Sequence, residues 1–175
     1  MIKSELLGLY RTSFNHIKLT YASLILWCYP ETPDYFDAVY DHMQQIPKPF
    51  GDLKVLIRDE KSMRIACEEL YDSAHRAAVT ELFPFTKRYC HDTCQLSELK
   101  RQPWFQFWRI LRNYFAHDMV FNFSKDEKAI LPVSWSGITI DLSMNGKQLL
   151  HGQCSREKLR ELLETANHYI VESVA

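Results

Sequence analysis

The stretch Trp104-Phe105-Gln106-Phe107-Trp108-Arg109-Ile110-Leu111 decides the fold of this chain, and it runs directly into Arg112-Asn113-Tyr114-Phe115-Ala116-His117. On an ideal helix, Trp108, Leu111 and Phe115 fall within about 40° of Trp104. These side chains form a narrow apolar stripe that we expect to be buried. The pattern therefore predicts a helix that begins near Pro103 and packs one aromatic face against the core.

The polar residues of this helix fall on the other face. Asn113 lies opposite the stripe, Arg109 and His117 lie about 40° on either side of Asn113, and Arg112 lies at the shoulder. We expect these side chains to face solvent, a ligand or a second subunit. Arg112 and His117 are about 140° apart around one helix, so a twofold dimer with facing helices brings them together more easily.

The rest of the chain predicts a mainly α protein. It has 175 residues, 46% of them hydrophobic, with only five glycines, which suits one domain over residues 1–175. The spacing of apolar residues and the positions of helix-breaking residues predict a helical core over about 3–118. Within this core, we expect one helix to end at Pro84 and a connection to begin at Ser97. A β-hairpin or small meander is predicted at about 129–150, with a third short strand over 147–150, before a C-terminal helix at about 155–173.

Charge is unevenly distributed along the chain, although the formal net charge is only −1. Residues 31–81 hold eleven acids and six bases, whereas residues 86–112 hold six bases and two acids. The basic segment leads into the aromatic helix. It can attract a polyanion, or it can be an ordinary solvated surface; the charge alone leaves both open.

The cysteines and apolar runs bear on location and metal binding. Five irregularly spaced cysteines and an N-terminus that reads as a helix indicate reduced thiols and a cytoplasmic protein without a membrane span. Cys90-His91 and Cys94 suggest zinc, but a structural zinc site usually needs four clearly spaced ligands. We therefore expect no metal and no cofactor.

Arg112-Asn113 followed by His117 and Asp118 resembles the R-N-x-x-x-H-D form of the motif of the HEPN superfamily, a group of all-α ribonucleases, toxins and related binding domains. The resemblance implies a HEPN-like helical bundle that forms a homodimer through the motif helix. One HEPN branch carries a modified tyrosine two residues after the histidine. Met119 stands there in this chain, so that regulation is not implied.

What the resemblance implies for function is a metal-independent endoribonuclease that leaves 2′,3′-cyclic phosphate ends. Its cellular role would be that of a toxin or a stress or phage-defence effector, with a protein antitoxin or inhibitor as a partner. Arg112, Asn113 and His117 would be the catalytic residues, and RNA would be bound through Arg109, Lys100, Arg101 and Asp118. The alternative is a non-catalytic helical module for RNA binding or protein assembly, in which the same face holds RNA backbone or a subunit.

Overall fold

The computed structural model describes residues 1–42, 53–149 and 153–174 and is mainly helical, as predicted. The elements are α1 (Lys3–Trp27), α2 (Thr32–His42), α3 (Leu53–Arg58), α4 (Glu60–Asp92), α5 (Leu96–Arg101), α6 (Phe105–Ala116), α7 (Lys125–Lys128), β1 (Val133–Trp135), β2 (Ile138–Ile140), a 3-10 helix (Leu142–Met144) and α8 (Arg156–Ser173). A two-stranded antiparallel sheet thus precedes the C-terminal helix, which confirms the predicted fold class.

The chain forms two compact units. The first comprises Met1–Phe14 and His75–Ala175, and the second comprises Asn15–Ala74. No helix among the described residues combines the length and the apolar character that crossing a membrane requires. The sequence also predicts a short helix at about 33–45 and a loop at 46–52, and residues 43–52 lie outside those that the structure describes.

In the first unit, the core is built around α6. Trp104, Trp108 and Leu111 are buried as predicted, and the Trp108 indole donates a hydrogen bond to the Val79 carbonyl (3.0 Å). Phe115, at the end of the helix, is more exposed than these three residues. The buried surface is instead much wider than one stripe and includes Phe105, Phe107, Ile110 and Tyr114.

The prediction that Pro84 ends a helix was also wrong, since α4 continues through it. A proline inside a helix removes one backbone hydrogen bond and costs about 3 kcal/mol. Side chains on both sides of this proline are buried: Phe83 packs on Trp108 with ring centroids 5.3 Å apart, and Thr86 shares a hydrogen bond of 2.8 Å with Tyr10. This packing offsets the cost of the missing bond.

Two further expectations fail between α4 and α8. Leu96–Arg101 forms α5 where Ser97 was expected to begin a connection, and Leu99 anchors this helix in the core. The predicted third strand is not formed over the described residues 147–149. There, the chain turns back after the 3-10 helix and pairs briefly with Phe121: the Gly146 amide donates to the Phe121 carbonyl (2.7 Å), and the Phe121 amide donates to the Lys147 carbonyl (2.9 Å).

The hairpin is shorter than predicted, and its connection has two residues. Val133 pairs with Ile140 and Trp135 with Ile138, so Ser136 and Gly137 form a two-residue connection. Both have positive φ angles, +48° and +81°, which is the backbone of a type I′ turn. Trp135 packs on Phe107 of α6 with ring centroids 5.7 Å apart, which fixes the hairpin against the motif helix.

The C-terminal helix α8 follows its prediction closely. Ser155 caps it by accepting a hydrogen bond from the Lys158 amide, and the helix ends at Ser173. Its apolar face is buried and consists of Leu159, Leu162, Leu163, Ala166, Tyr169 and Ile170.

The second unit contains the end of α1, then α2, α3 and the start of α4. Arg58 of α3 bonds to Asp37 (2.6 Å) and Asp34 (3.0 Å) of α2. Tyr21 and Tyr71 stack with ring centroids 5.3 Å apart. All of the site residues predicted from the sequence lie in the first unit, and so does the candidate site.

Candidate functional site

The candidate site begins where α6 ends. His117 is the C-terminal cap, and its amide bonds to the Tyr114 carbonyl at 3.4 Å. Asp118 and Met119 follow with φ angles of +57° and +52°. Two successive residues other than glycine in this left-handed region are uncommon and cost conformational energy. The strained turn directs the chain away from the helix axis and opens a cleft beside it.

This cleft has a volume of about 380 Å³ and is formed by the end of α6 and by the segment that leads to α7. Ring contacts in this part of the unit are close, since Tyr114 and Phe121 have centroids 4.6 Å apart. The residues that line the cleft are Ile110, Asn113, Tyr114, His117, Asp118, Val120, Phe121, Asn122, Phe123 and Glu127.

The rim of the cleft is polar and accessible. His117, Asp118 and Asn122 are all exposed. The side chains of these three residues make no hydrogen bond or ion pair with any other residue that the structure describes. An imidazole, a carboxylate and an amide are therefore available together at one opening.

Below the rim, a chain of hydrogen bonds connects α6 to α7. Arg112 Nη1 donates to Asn113 Oδ1 (3.0 Å), and Asn113 Nδ2 donates to Glu127 Oε1 (2.8 Å). The other Glu127 oxygen accepts from the Ser124 amide (2.8 Å). Asn113 is thus bonded on both sides, and Arg112 is held by it.

Glu127 is the buried anchor of this chain of bonds, with only 5% of its surface exposed. Ser124 and Glu127 form a capping box, because the Glu127 amide also donates to the Ser124 hydroxyl (3.2 Å). Burial raises the pKa of Glu127. The hydrogen bonds from Ser124 and Asn113 and the charge of Arg109 outweigh this effect, so the pKa lies below its usual value.

Arg109 lies on the inner side of this network rather than facing solvent. Its side chain is half-buried, and its Nε and Nη2 atoms are buried without a hydrogen-bond partner among the described residues. Its charge acts on Glu127 and stabilises that carboxylate in its ionised form. Arg109 therefore balances the charge of Glu127 from within the unit.

The cleft wall is braced by the turn around Asn145. The Phe123 amide donates to Asn145 Oδ1 (3.0 Å), and the Leu149 amide donates to the Tyr114 hydroxyl (3.2 Å). Together with the pairing at Phe121, these bonds fix the segment that faces the end of α6. The region after the hairpin, to which sequence reasoning gave no role, supports the cleft.

The structure brings some of the predicted site residues together and leaves others apart. Asn113, His117 and Asp118 line the cleft, whereas Arg112 contacts it only through Asn113. Lys100 and Arg101 are exposed in α5, before the start of α6. A helix of twelve residues spans about 18 Å, so they lie at the end of α6 remote from His117. Arg101 is also paired with Glu98 (2.7 Å).

Glu127 is the site residue that sequence reasoning missed. The signal was present, because Ser124 followed three residues later by Glu127 has the pattern of a capping box. That pattern predicts a helix start. It does not reveal that the second carboxylate oxygen reaches Asn113, fourteen residues earlier in the chain.

Among the residues that the structure describes, the candidate zinc ligands do not form a metal site. Cys90 is buried and Cys94 is exposed, and all five cysteines are free thiols. Within the described part of the chain, no group of three or more His, Cys, Asp or Glu side chains could hold an ion together.

No family model, no curated protein and no solved structure matches this chain.

Proposed function

We propose that this protein is a metal-independent endoribonuclease, of the kind that its HEPN-like motif implies. The observation that carries the proposal is the exposed His117 imidazole at the mouth of a cleft, five residues after an arginine held by Asn113 and Glu127. An imidazole titrates near neutral pH, and a guanidinium is a permanent, planar cation. These groups suffice to cleave RNA by attack of its own 2′-hydroxyl.

In this mechanism, His117 is the general base. It removes the proton from the ribose 2′-hydroxyl, and the oxygen attacks the adjacent phosphorus. The bond to the 5′-oxygen of the next nucleotide breaks, that oxygen takes up a proton from water, and His117 returns its proton to the solvent. The products are a 2′,3′-cyclic phosphate and a 5′-hydroxyl. Arg112 stabilises the negative charge that develops on the phosphorane.

Asn113 has a different role from the one expected of it. Its amide is bonded to Arg112 and Glu127, so it does not need to touch substrate. In the proposed enzyme it is a positioning residue, which holds the guanidinium through its Oδ1 atom. Glu127 accepts a hydrogen bond from Asn113. The network restricts the movement of the Arg112 side chain more than that of an ordinary surface arginine.

The proposed enzyme acts as a twofold dimer through the motif helix, because Arg112 does not line the cleft that contains His117 of the same chain. In a shared cleft, each arginine serves the histidine of the other protomer. The cellular role that fits such an enzyme is that of a toxin or defence effector restrained by an inhibitor protein.

The dimer gives a sharp test by complementation. Arg112→Ala and His117→Ala proteins should each be inactive, but mixing them under conditions of subunit exchange should restore up to about a quarter of the wild-type activity. Half of the dimers are then mixed, and each mixed dimer contains one complete site. Light scattering at micromolar concentration should show a dimer. A monomer, or no recovery despite verified exchange, would exclude the shared cleft.

The cleavage chemistry is tested with purified protein and total RNA in EDTA. RNA should be cut, and a DNA of the same sequence should resist because it lacks the 2′-hydroxyl. Arg112→Lys should cut poorly, since an ammonium does not reproduce the planar, two-pronged contact with a phosphate. Arg88→Lys, at an exposed position of α4, is the matched control and should be fully active. A requirement for magnesium would contradict the mechanism.

The second candidate function is a non-catalytic module for RNA binding or protein assembly. The hydrogen bonds from Arg112 to Asn113 and from Asn113 to Glu127 favour this second function, because these residues already stabilise the contact between α6 and α7. If Arg112→Ala weakens RNA binding, His117→Ala leaves it unchanged and no RNA is cut, this function replaces the first.

A further inference from the structure

The cleft beside His117 is poorly suited to a phosphate. None of the residues that line it is a lysine or an arginine, and two of them, Asp118 and Glu127, are acids. Glu127 is held in its anionic form by the hydrogen bonds from Ser124 and Asn113. A phosphate inside the cleft would meet two negative charges, so a neutral part of a ligand must occupy it.

The size and the mixed lining of the cleft suit a heterocycle. Ile110, Tyr114 and Phe121 are among the residues that line it, while the rim carries hydrogen-bonding groups. Its volume of about 380 Å³ lies within the range of sites for small ligands. Apolar surfaces that hold a base, with polar groups that read its edge, are the usual means by which proteins recognise unpaired RNA bases.

The rim also favours one pattern of hydrogen bonds. Asp118 presents an exposed carboxylate, which only accepts hydrogen bonds and has no partner among the described residues. Two neighbouring N–H donors can occupy its two oxygens at once. Guanine has such a pair on its Watson–Crick edge, at N1 and at the 2-amino group. Adenine and cytosine offer one amino group next to a ring acceptor, and uracil offers one N–H between two carbonyls.

We propose that this cleft binds a guanine base, with the Asp118 carboxylate accepting hydrogen bonds from the guanine N1–H and 2-amino group. Asn122, at the same rim, can donate to the guanine O6 atom or accept from the base. The left-handed backbone at Asp118 fixes where this carboxylate stands relative to the end of α6.

This proposal adds a base specificity to the proposed ribonuclease, and the following consequence for cleavage rests on that proposed function. With the base in the cleft, the ribose lies at the mouth, where its 2′-hydroxyl can approach His117. The following phosphate lies outside, away from the two carboxylates. RNA should therefore be cut on the 3′ side of unpaired guanosines.

The binding test uses dinucleotides that cannot be cleaved because their first ribose is 2′-O-methylated: GpU, ApU, CpU, UpU and IpU. Inosine keeps N1–H but lacks the 2-amino group, so it isolates one of the two bonds. Amide NMR spectra of the protein should shift at residues 117–122 on titration with GpU. We expect GpU to bind about tenfold or more tightly than the other four, since a bidentate base contact discriminates at this level.

Asp118→Asn is the variant of choice, because asparagine tolerates the left-handed backbone as well as aspartate does. It should remove the preference for GpU over ApU and IpU. Asp126→Asn has the same change of charge at an exposed residue that does not line the cleft, and should keep the preference. Equal binding of all five dinucleotides, or shifts confined to residues elsewhere, would overturn the proposal.

The cleavage test separates this proposal from the proposed function. Mapping of the cut ends should place guanosine on the 5′ side of the cuts, and Asp118→Asn should broaden the choice of base. Selective binding of GpU without any cleavage would refute the nuclease and leave the guanine site standing. Cleavage without base preference, together with equal binding, would refute the guanine site and leave the nuclease standing.

Discussion

His117→Ala should reduce RNA cleavage about 100- to 10,000-fold while leaving the fold intact. The loss follows from the role of His117 as general base in the proposed mechanism. The fold should be unaffected because the imidazole is exposed and has no hydrogen-bonded partner among the described residues. The measurement is the initial rate of cleavage of a fluorescent RNA, beside thermal unfolding of the same samples.

His91→Ala is the matched control for this experiment. His91 is also an exposed histidine near a helix end, but it lies on α4 and does not line the cleft. Its substitution should leave the rate unchanged. If His117→Ala cuts RNA as well as the wild type does, His117 is not the base. If its rate falls only in proportion to a lower folded fraction, the effect is on stability and not on chemistry.

The outer elements of the fold could be predicted because local signals agree there. The α8 helix has a serine cap, a regular apolar face and no internal breaker, and its predicted bounds match the structure closely. The hairpin turn contains Gly137, a residue type that a positive φ angle favours. In these segments, a few neighbouring residues specify the structure without help from distant ones.

The failures share a cause, since in each one distant packing overrode a local signal. Pro84 is a strong helix breaker in isolation, but Phe83 and Thr86 are fixed in the core by Trp108 and Tyr10. The third strand was predicted from the turn signal at Asn145-Gly146, yet the described part of that segment pairs with Phe121 by isolated bonds.

In the candidate site, too, some features could be predicted from local sequence and others depend on distant residues. The end of α6 and the exposure of His117 could be predicted from the periodicity of one helix. The partners of Asn113 could not, because the capping box at Ser124 signals a helix start and does not show that Glu127 reaches a residue fourteen positions earlier. The cleft also depends on two successive left-handed residues, Asp118 and Met119, of which only the aspartate is a residue type enriched in that conformation.

Glu127→Ala should destabilise the first unit by about 3 kcal/mol, because it breaks a buried and hydrogen-bonded charge network. The Asn113 amide and the Ser124 amide each lose an acceptor, and the charge of Arg109 loses its counterion. Urea unfolding followed by tryptophan fluorescence reports on this unit, since Trp104, Trp108 and Trp135 lie in it. Asp126→Ala, one residue earlier and exposed, is the control and should change stability by less than about 0.5 kcal/mol.

The dependence of this effect on pH distinguishes a charge network from simple loss of packing. The pKa of Glu127 is lower in the folded protein than its ordinary value. Such a group stabilises the fold above the unfolded pKa of about 4.3, and this contribution is lost as the pH falls through the folded pKa. The difference in stability between wild type and Glu127→Gln should therefore be constant near neutral pH and shrink below about pH 4. A difference that persists unchanged in acid would show that Glu127 acts through its hydrogen bonds rather than its charge, and the proposed support of Arg112 through Asn113 would then not depend on that charge.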